Sequence, residues 1–443
     1  MNEFISMQQV SDYYLPITKA WLEDNKGKNT RKRISLYHYT STEVLDKILT
    51  NAAFWASNIF YLNDSSEFKA GLEEIRKQFR KKGATYDIIK QYLDEIEKYD
   101  SKNWAGIFTI SFSTSSDDLN QWTTYAKESG ICIELDCNIV KKYDWRNPKL
   151  LIKQKSLNNE YLEASENYNG FGNMEYGEDE DYKLADEIFD SFVEHWNGLE
   201  RQNKYVTIEE KNELWKQKSH EAKQYLALRA SYLKVKGFSK EQEVRISFFP
   251  IYRGEAVSGK EEKAKIKYTR LKSGILRPYL EIYFFQGMDK QPKCPIKSIR
   301  VGPSGRQQNV YDSIVHRIRY GEINVWKYSL REKFNRLKQY IEGCIETYEL
   351  NPIKEKVVVN RIYYFLAHDW CAECTEVKFK QQKATEETKA YIELSGETIK
   401  HYFYDDEENA YKRAEEYVEK YKREAFLSSH GILINKSTIP YIY

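Results

Sequence analysis

Apolar and polar residues first alternate cleanly at Arg33-Ile34-Ser35-Leu36-Tyr37-His38-Tyr39. A strand there puts Ile34, Leu36 and His38 on one face and Ser35, Tyr37 and Tyr39 on the other. Thr40-Ser41-Thr42-Glu43 follows as a capping box, with a hydroxyl for the free amides of a helix start and a carboxylate three residues on. Val44, Leu45, Ile48 and Leu49 form the helix stripe behind it. A second strand is predicted at Ala53 to Ser57, then the turn Tyr61-Leu62-Asn63-Asp64-Ser65, then a charged helical stretch from Glu67 to Tyr99.

The pattern then repeats. A strand over Ile107 to Ser113 ends in the polar turn Ser113-Thr114-Ser115-Ser116. Asp117 and Asp118 suit the first turn of a helix that carries Leu119, Trp122, Tyr125 and Ala126 and stops at Gly130. Ile131 to Leu135 alternates as a strand, as do Glu243 to Phe249, Leu280 to Phe285 and Ile299 to Val301. A helix over Val310 to Tyr320 and a strand near Val325 close the unit. Between them, residues 150–225 are acidic and then mixed in charge, which predicts a helical insertion or lid. Val357 to Leu366 is β-branched and aromatic, and Asp406 to Lys422 reads as an amphipathic helix.

The expected organisation is a helical lead-in over 1–32, a main unit over 33–330 carrying the insertion, a helical connector over 331–355, and a small α+β domain over 356–443. The fold class is α/β mixed (α+β). A length of 443 residues is ample for more than one core, and a net charge of +2 on a chain with 31% charged residues gives no single-sign field pointing to a polyanion or a membrane. No apolar run is long enough to cross a bilayer, and the opening MNEFISMQQV lacks a basic region followed by an apolar core, so a cytoplasmic location is expected. Six cysteines are too sparse for a disulfide scaffold and are expected to be reduced and mostly buried. His368, Cys371 and Cys374 suggest a zinc or redox loop. No fourth ligand stands nearby, and Thr375 to Lys380 alternates like a strand where a redox loop needs a helix. No metal site is expected.

Three polar groups stand at strand ends or on the helix after one: His38, the Ser113 to Tyr125 segment, and Glu243. Cleaving a nicotinamide glycosidic bond generates positive charge on the ribose, which a carboxylate such as Glu243 stabilises. The flat cationic nicotinamide wants an aromatic face, for which Tyr125 and Trp122 compete, and the ribose hydroxyls want a group that both donates and accepts, such as His38, with hydroxyls from Thr40 and Ser113. The same residues have structural readings: His38 as a core histidine, Trp122 and Tyr125 as helix packing, Glu243 with Arg245 as an in-strand ion pair, and Asn63-Asp64 as a turn.

LYHYTS, FWAS, YLNDSSEF, SFSTSSDDLNQWTTYA, FSKEQEVRI and IRVGPSG, in that order, are similar to an uncharacterised bacterial domain family of unknown function over most of residues 33–330. The layout also resembles the His-Tyr-Glu group of ADP-ribosyltransferases. That resemblance implies a split β-sheet core, NAD as substrate, and His38, Tyr125 and Glu243 as the catalytic set. It implies NAD contacts from His38, Tyr39, Thr40, Asn63, Asp64, Ser113, Trp122, Tyr125 and Arg245. It further implies a macromolecular acceptor, protein or nucleic acid, and a toxin or antiviral-defence role, with the C-terminal domain contacting a partner protein. Glu241-Gln242-Glu243 also reads as the E-x-E of arginine-modifying transferases. An NAD glycohydrolase using the same residues, and a non-catalytic module binding a nucleotide or protein, remain alternatives.

Overall fold

A computed structural model describes residues 35–62, 66–83, 93–94, 96, 106–126, 130–136, 150–163, 169–177, 226–253, 260–271, 273–286, 290–326, 377–384, 387–394, 397–404, 425–428 and 430–440. The expectations for Asn63, Asp64, residues 178–225, Val357 to Leu366, the loop with His368, Cys371 and Cys374, and Asp406 to Lys422 lie outside the described residues.

In chain order the elements are β1 (Leu36–Ser41), α1 (Thr42–Asn51), β2 (Ala53–Asn58), α2 (Ser66–Lys81), β3 (Phe108–Ser113), α3 (Leu119–Gln121, continued as a π-turn over Trp122–Ala126) and β4 (Gly130–Leu135). Then come β5 (Leu150–Lys155), β6 (Tyr161–Glu163), β7 (Asn169–Asn173), β8 (Glu175–Gly177), β9 (Leu233–Val235), β10 (Glu243–Phe248), β11 (Tyr252–Arg253), β12 (Glu262–Lys263), β13 (Lys267–Arg270) and β14 (Leu276–Gln286). The remainder is β15 (Ile296–Val301), α4 (Gln307–Tyr320), β16 (Val377–Ala384), β17 (Glu387–Leu394), β18 (Glu397–Tyr404), β19 (Ala425–Leu427) and β20 (Leu433–Lys436). This is a mixed α and β protein.

The chain divides into two compact units. The first comprises Met1–Leu36, Ala53–Ser115 and Cys137–Pro292; the second Tyr37–Ala52, Ser116–Asp136 and Lys293–Tyr443. In the first, β3, β2, β14, β5 and β6 lie side by side in that order, β10 adds to β3 and carries β7, and β13 adds to β14. Phe54, Leu280, Ile282 and Phe284 bury one face of this sheet, with Phe54 edge-on to Phe284 at 5.7 Å. Helix α2 buries Phe68, Leu72, Ile75 and Phe79 against Leu226 to Leu233. Gly71 permits that approach, because a Cβ there would fall 2.3 Å from the Ala230 carbonyl oxygen.

Residues 150–177 differ from the sequence expectation. The described part of the predicted helical insertion is strand, β5 to β8. Leu150-Leu151-Ile152 supplies apolar residues to a sheet, and Gly170 and Gly172 lower helix propensity in the next segment.

In the second unit the order is β19, β20, β15, β4, β1, with β15 parallel to β20 and antiparallel to β4. Helix α4 packs on β15 and β20, burying Tyr311, Ile314 and Ile318. Helix α1 is capped by Ser41, whose hydroxyl accepts from the Val44 N–H at 3.4 Å, while Glu43 pairs with Lys47 one turn on. Of the expected C-terminal segment, β16 to β18 form their own antiparallel meander, whereas β19 and β20 belong to this sheet. Cys132 and Cys294 are buried free thiols, and burial pushes both thiols well above the ordinary cysteine range. No helix among the described residues is long and apolar enough to cross a membrane.

Candidate functional site

Two clusters of polar side chains stand out, one in each unit. In the first unit, residues 236–241 form a 3₁₀ turn closed by Gln242 at φ +46°, and this left-handed residue turns the chain into β10 at Glu243. Glu243 begins its strand opposite Ser113, the last residue of β3, and Arg245 follows on the same face. The Glu243 backbone N–H donates to the Tyr176 hydroxyl at 2.8 Å.

The Glu243 side chain is 6% exposed and heavily engaged. Its Oε1 accepts from Arg245 Nε at 2.6 Å, and its Oε2 accepts from Lys234 Nζ at 2.9 Å and from Arg245 Nη2 at 3.1 Å. Arg245 also donates to Glu67 and, at 2.9 Å, to the Ser231 carbonyl. Lys234 donates to Glu241 at 2.7 Å and lies 3.4 Å from Glu67. Glu243 and Arg245 therefore form an ion pair, and it is a buried one.

Burial pushes the Glu243 carboxyl up, but Arg245 and Lys234 together outweigh it and hold the group at about 2. Burial raises Glu67 above the usual carboxylate range despite Arg245. Burial works against the charge on Lys234 as well, and Glu243 and Glu67 more than restore it. Ser113 is buried; its hydroxyl donates to the Glu241 carbonyl at 3.1 Å and accepts from the Ser115 N–H at 3.1 Å, bracing the turn that presents Glu243.

In the second unit, β1 carries His38, Tyr39 and Thr40. His38 is half-buried, and Tyr39 and Thr40 are buried. The expected strict alternation is broken here: Leu36, Tyr39 and Thr40 are the buried positions, and His38 does not share the burial of Leu36. The Tyr39 hydroxyl accepts from the Asp118 N–H at 3.1 Å, and its ring meets Trp122 edge-on at 4.7 Å. Burial drives the Tyr39 hydroxyl well above the ordinary tyrosine range.

Trp122 is 3% exposed, and its indole N–H donates to Asp117 Oδ1 at 2.7 Å. Asp117 also accepts from Arg300 at 2.9 Å, from the Ser437 hydroxyl at 2.6 Å and from the Thr438 N–H at 3.2 Å. Asp118 caps α3, accepting from the N–H groups of Asn120 and Gln121. Three residues past Trp122, on the π-turn, Tyr125 is 41% exposed. Of the two candidate aromatics, one is fixed in a core and the other stands at the surface.

Lys234, Glu67, Asp117 and Arg300 were not among the candidate site residues of the sequence, where Asp117 was read only as a helix first-turn acid. Asp117 carried a signal, since two adjacent acids precede a helix that needs only one cap. Lys234 sits on a three-residue strand with no pattern to mark it.

No curated protein and no solved structure matches the chain. Residues 121–246, which include Trp122, Tyr125, Glu243 and Arg245 and leave out His38 and Ser113, match the family described as Protein of unknown function (DUF2971).

Proposed function

We propose that the protein consumes NAD as an ADP-ribosyltransferase-like enzyme, with Glu243 stabilising the oxocarbenium ribose, Tyr125 stacking on the nicotinamide and His38 contacting the ribose. The observation that carries this reading is the state of Glu243. It is a carboxylate fixed at the start of a strand, opposite Ser113, and kept ionised at about 2 by Arg245 and Lys234. A group meant to meet developing positive charge must be anionic and preorganised before the reaction begins. Tyr125 fits the aromatic role better than Trp122, because 41% of its surface is exposed while Trp122 is held by Tyr39 and Asp117. On this reading Arg245 positions Glu243 and does not touch NAD. A macromolecular acceptor and a toxin or antiviral-defence role follow from the resemblance alone, and a cytoplasmic place of action from the absence of a spanning apolar run and of a signal-like opening in the sequence.

A second reading, a non-catalytic binding module, is favoured by one observation: three donors from Arg245 and Lys234 already occupy the Glu243 carboxylate. A carboxylate has about four acceptor sites, which leaves little for a ribose hydroxyl. Calorimetric titration of NAD into the wild type and Tyr125→Ala checks the aromatic role. The surface position of Tyr125 lets the variant fold, and loss of a stacked cation contact weakens NAD binding about tenfold. Equal affinity in both proteins would remove Tyr125 from the account.

A further inference from the structure

Strand β14 is buried on both faces, with Leu280, Ile282 and Phe284 on one and Tyr279, Glu281, Tyr283 and Phe285 on the other. On that second face half-buried Arg277, Trp55, Lys153, Lys155 and Tyr161 surround a small core of Ala53, Tyr283 and Phe285. Strand register brings Trp55 of β2 opposite Glu281, Lys267 of β13 opposite Tyr279, and Lys153 of β5 opposite Tyr283. Lys155 and Tyr161 extend the same face across β5 and β6.

Aromatic and basic groups interleave on this second face, with Lys153 and Lys155 half-buried above the rings. Trp55 stacks on Tyr279 with ring centroids 4.5 Å apart and planes at 30°. Tyr161 meets Tyr283 and Phe285 edge-on at 5.1 and 5.0 Å. The ammonium of Lys153 lies 4.7 Å over Phe285, and that of Lys155 lies 5.4 Å over Tyr161, so both charges stand above the sheet. Glu281 is engaged by Lys267 and by the Tyr283 hydroxyl. The Nε of half-buried Arg277 has no hydrogen-bond partner. Around β14 this face sets Lys153, Lys155, Lys267 and Arg277 beside Glu281 and Glu163, and farther along the same face β10 carries Arg245 with Glu243.

We propose that this face binds a single-stranded nucleic acid, with bases stacking at Trp55 and Tyr161 and phosphates held by Lys153, Lys155 and Arg277. Flat aromatic surfaces recognise unpaired bases, which a duplex keeps stacked inside, and interleaved cations follow the backbone between them. An acidic protein would match the cations and leave the half-buried rings of Trp55 and Tyr161 without a counterpart. The inference stands apart from the NAD chemistry and uses none of its residues.

The test is fluorescence anisotropy of the full chain with labelled oligothymidylate and oligouridylate of about 12 nucleotides. Binding at low salt should weaken with salt at a log–log slope of about −2, as expected for three phosphate contacts on a single strand. The double variant Lys153→Ala/Lys155→Ala should lose about tenfold in affinity and flatten that slope by about 1.4, with its thermal melt preserved. Lys47→Ala/Arg319→Ala, changed elsewhere on the surface, should bind as the wild type does. The oligonucleotide should also quench part of the tryptophan fluorescence, and Trp55→Phe should lose that part. Absence of binding, wild-type affinity in the Lys153/Lys155 variant, unchanged quenching in Trp55→Phe, or equal affinity for heparin or polyglutamate would each overturn the proposal.

Discussion

Glu243 is held by opposing forces, and its pH response shows which prevails. The folded carboxyl lies at about 2 against an ordinary 4.5, so its contribution to stability is complete above pH 4.5 and fades as pH falls toward 2. Glu67 runs the other way: raised above its ordinary value, it regains stability when protonated in mild acid. Removing the charge in Glu243→Gln strands Arg245 and Lys234 in a buried site, which costs about 3–5 kcal/mol near neutrality. Thermal melts from pH 6 to 2.5 should show a wide gap between wild type and variant that closes with acid; a constant gap would show that the charge contributes nothing. Asp117 gives a parallel case in the second unit, where its carboxylate joins Trp122, Arg300 and the Ser437 segment. Asp117→Ala should cost about 2–3 kcal/mol in denaturant titration, through lost charge-assisted bonds and orphaned donors. The need for an aromatic face made Trp122 and Tyr125 candidates in the sequence, while their helical spacing pointed to core packing. Neither could rank them, because the choice depends on Tyr39 and Asp117 reaching Trp122 from other segments. Lys234 was invisible for the same reason: its partners Glu67, Glu241 and Glu243 meet only in the fold.

At the scale of elements, strand-forming runs bounded by turns marked β2 and β3, and alternating runs marked β4 and β10, to within a residue or two, and the Ser41 cap marked α1. Strands β5 to β8 escaped because the acidic composition after residue 150 masks short strands whose burial comes from neighbours far along the chain, such as β14 and β10. Helix α2 depends on a close backbone approach that no periodicity reveals. Gly71→Ala forces a Cβ to within 2.3 Å of the Ala230 carbonyl oxygen, a backbone atom that cannot rotate away. Overpacking of that kind costs about 1–3 kcal/mol, although alanine favours the helix itself. A denaturation midpoint in Gly71→Ala equal to or above that of the wild type would mean that α2 packs less tightly than described.

For the whole molecule, the sequence suggested that the last segment is a domain of its own, whereas β16 to β18 pair among themselves yet fall in the same compact unit as β15 and α4. The final strands join the sheet of that unit: β20 pairs with β15 from Ser298 to Val301, and Ser437 joins Asp117 and the Val301 carbonyl. Deleting residues 425–443 should therefore expose the β15 edge and lower both melting temperature and solubility. A truncated protein that melts with the wild type would restore the picture of an independent tail. The family match over residues 121–246 and the motif resemblance over 33–330 share Trp122, Tyr125 and Glu243, which is where function is proposed. The most direct measurement is nicotinamide release from NAD by the full chain, with cell extract present to supply acceptors, beside Glu243→Gln assayed well below its melting temperature. The account predicts release by the wild type and a loss of about a hundredfold or more in the folded variant. No release by the wild type, or equal release by both, would contradict it.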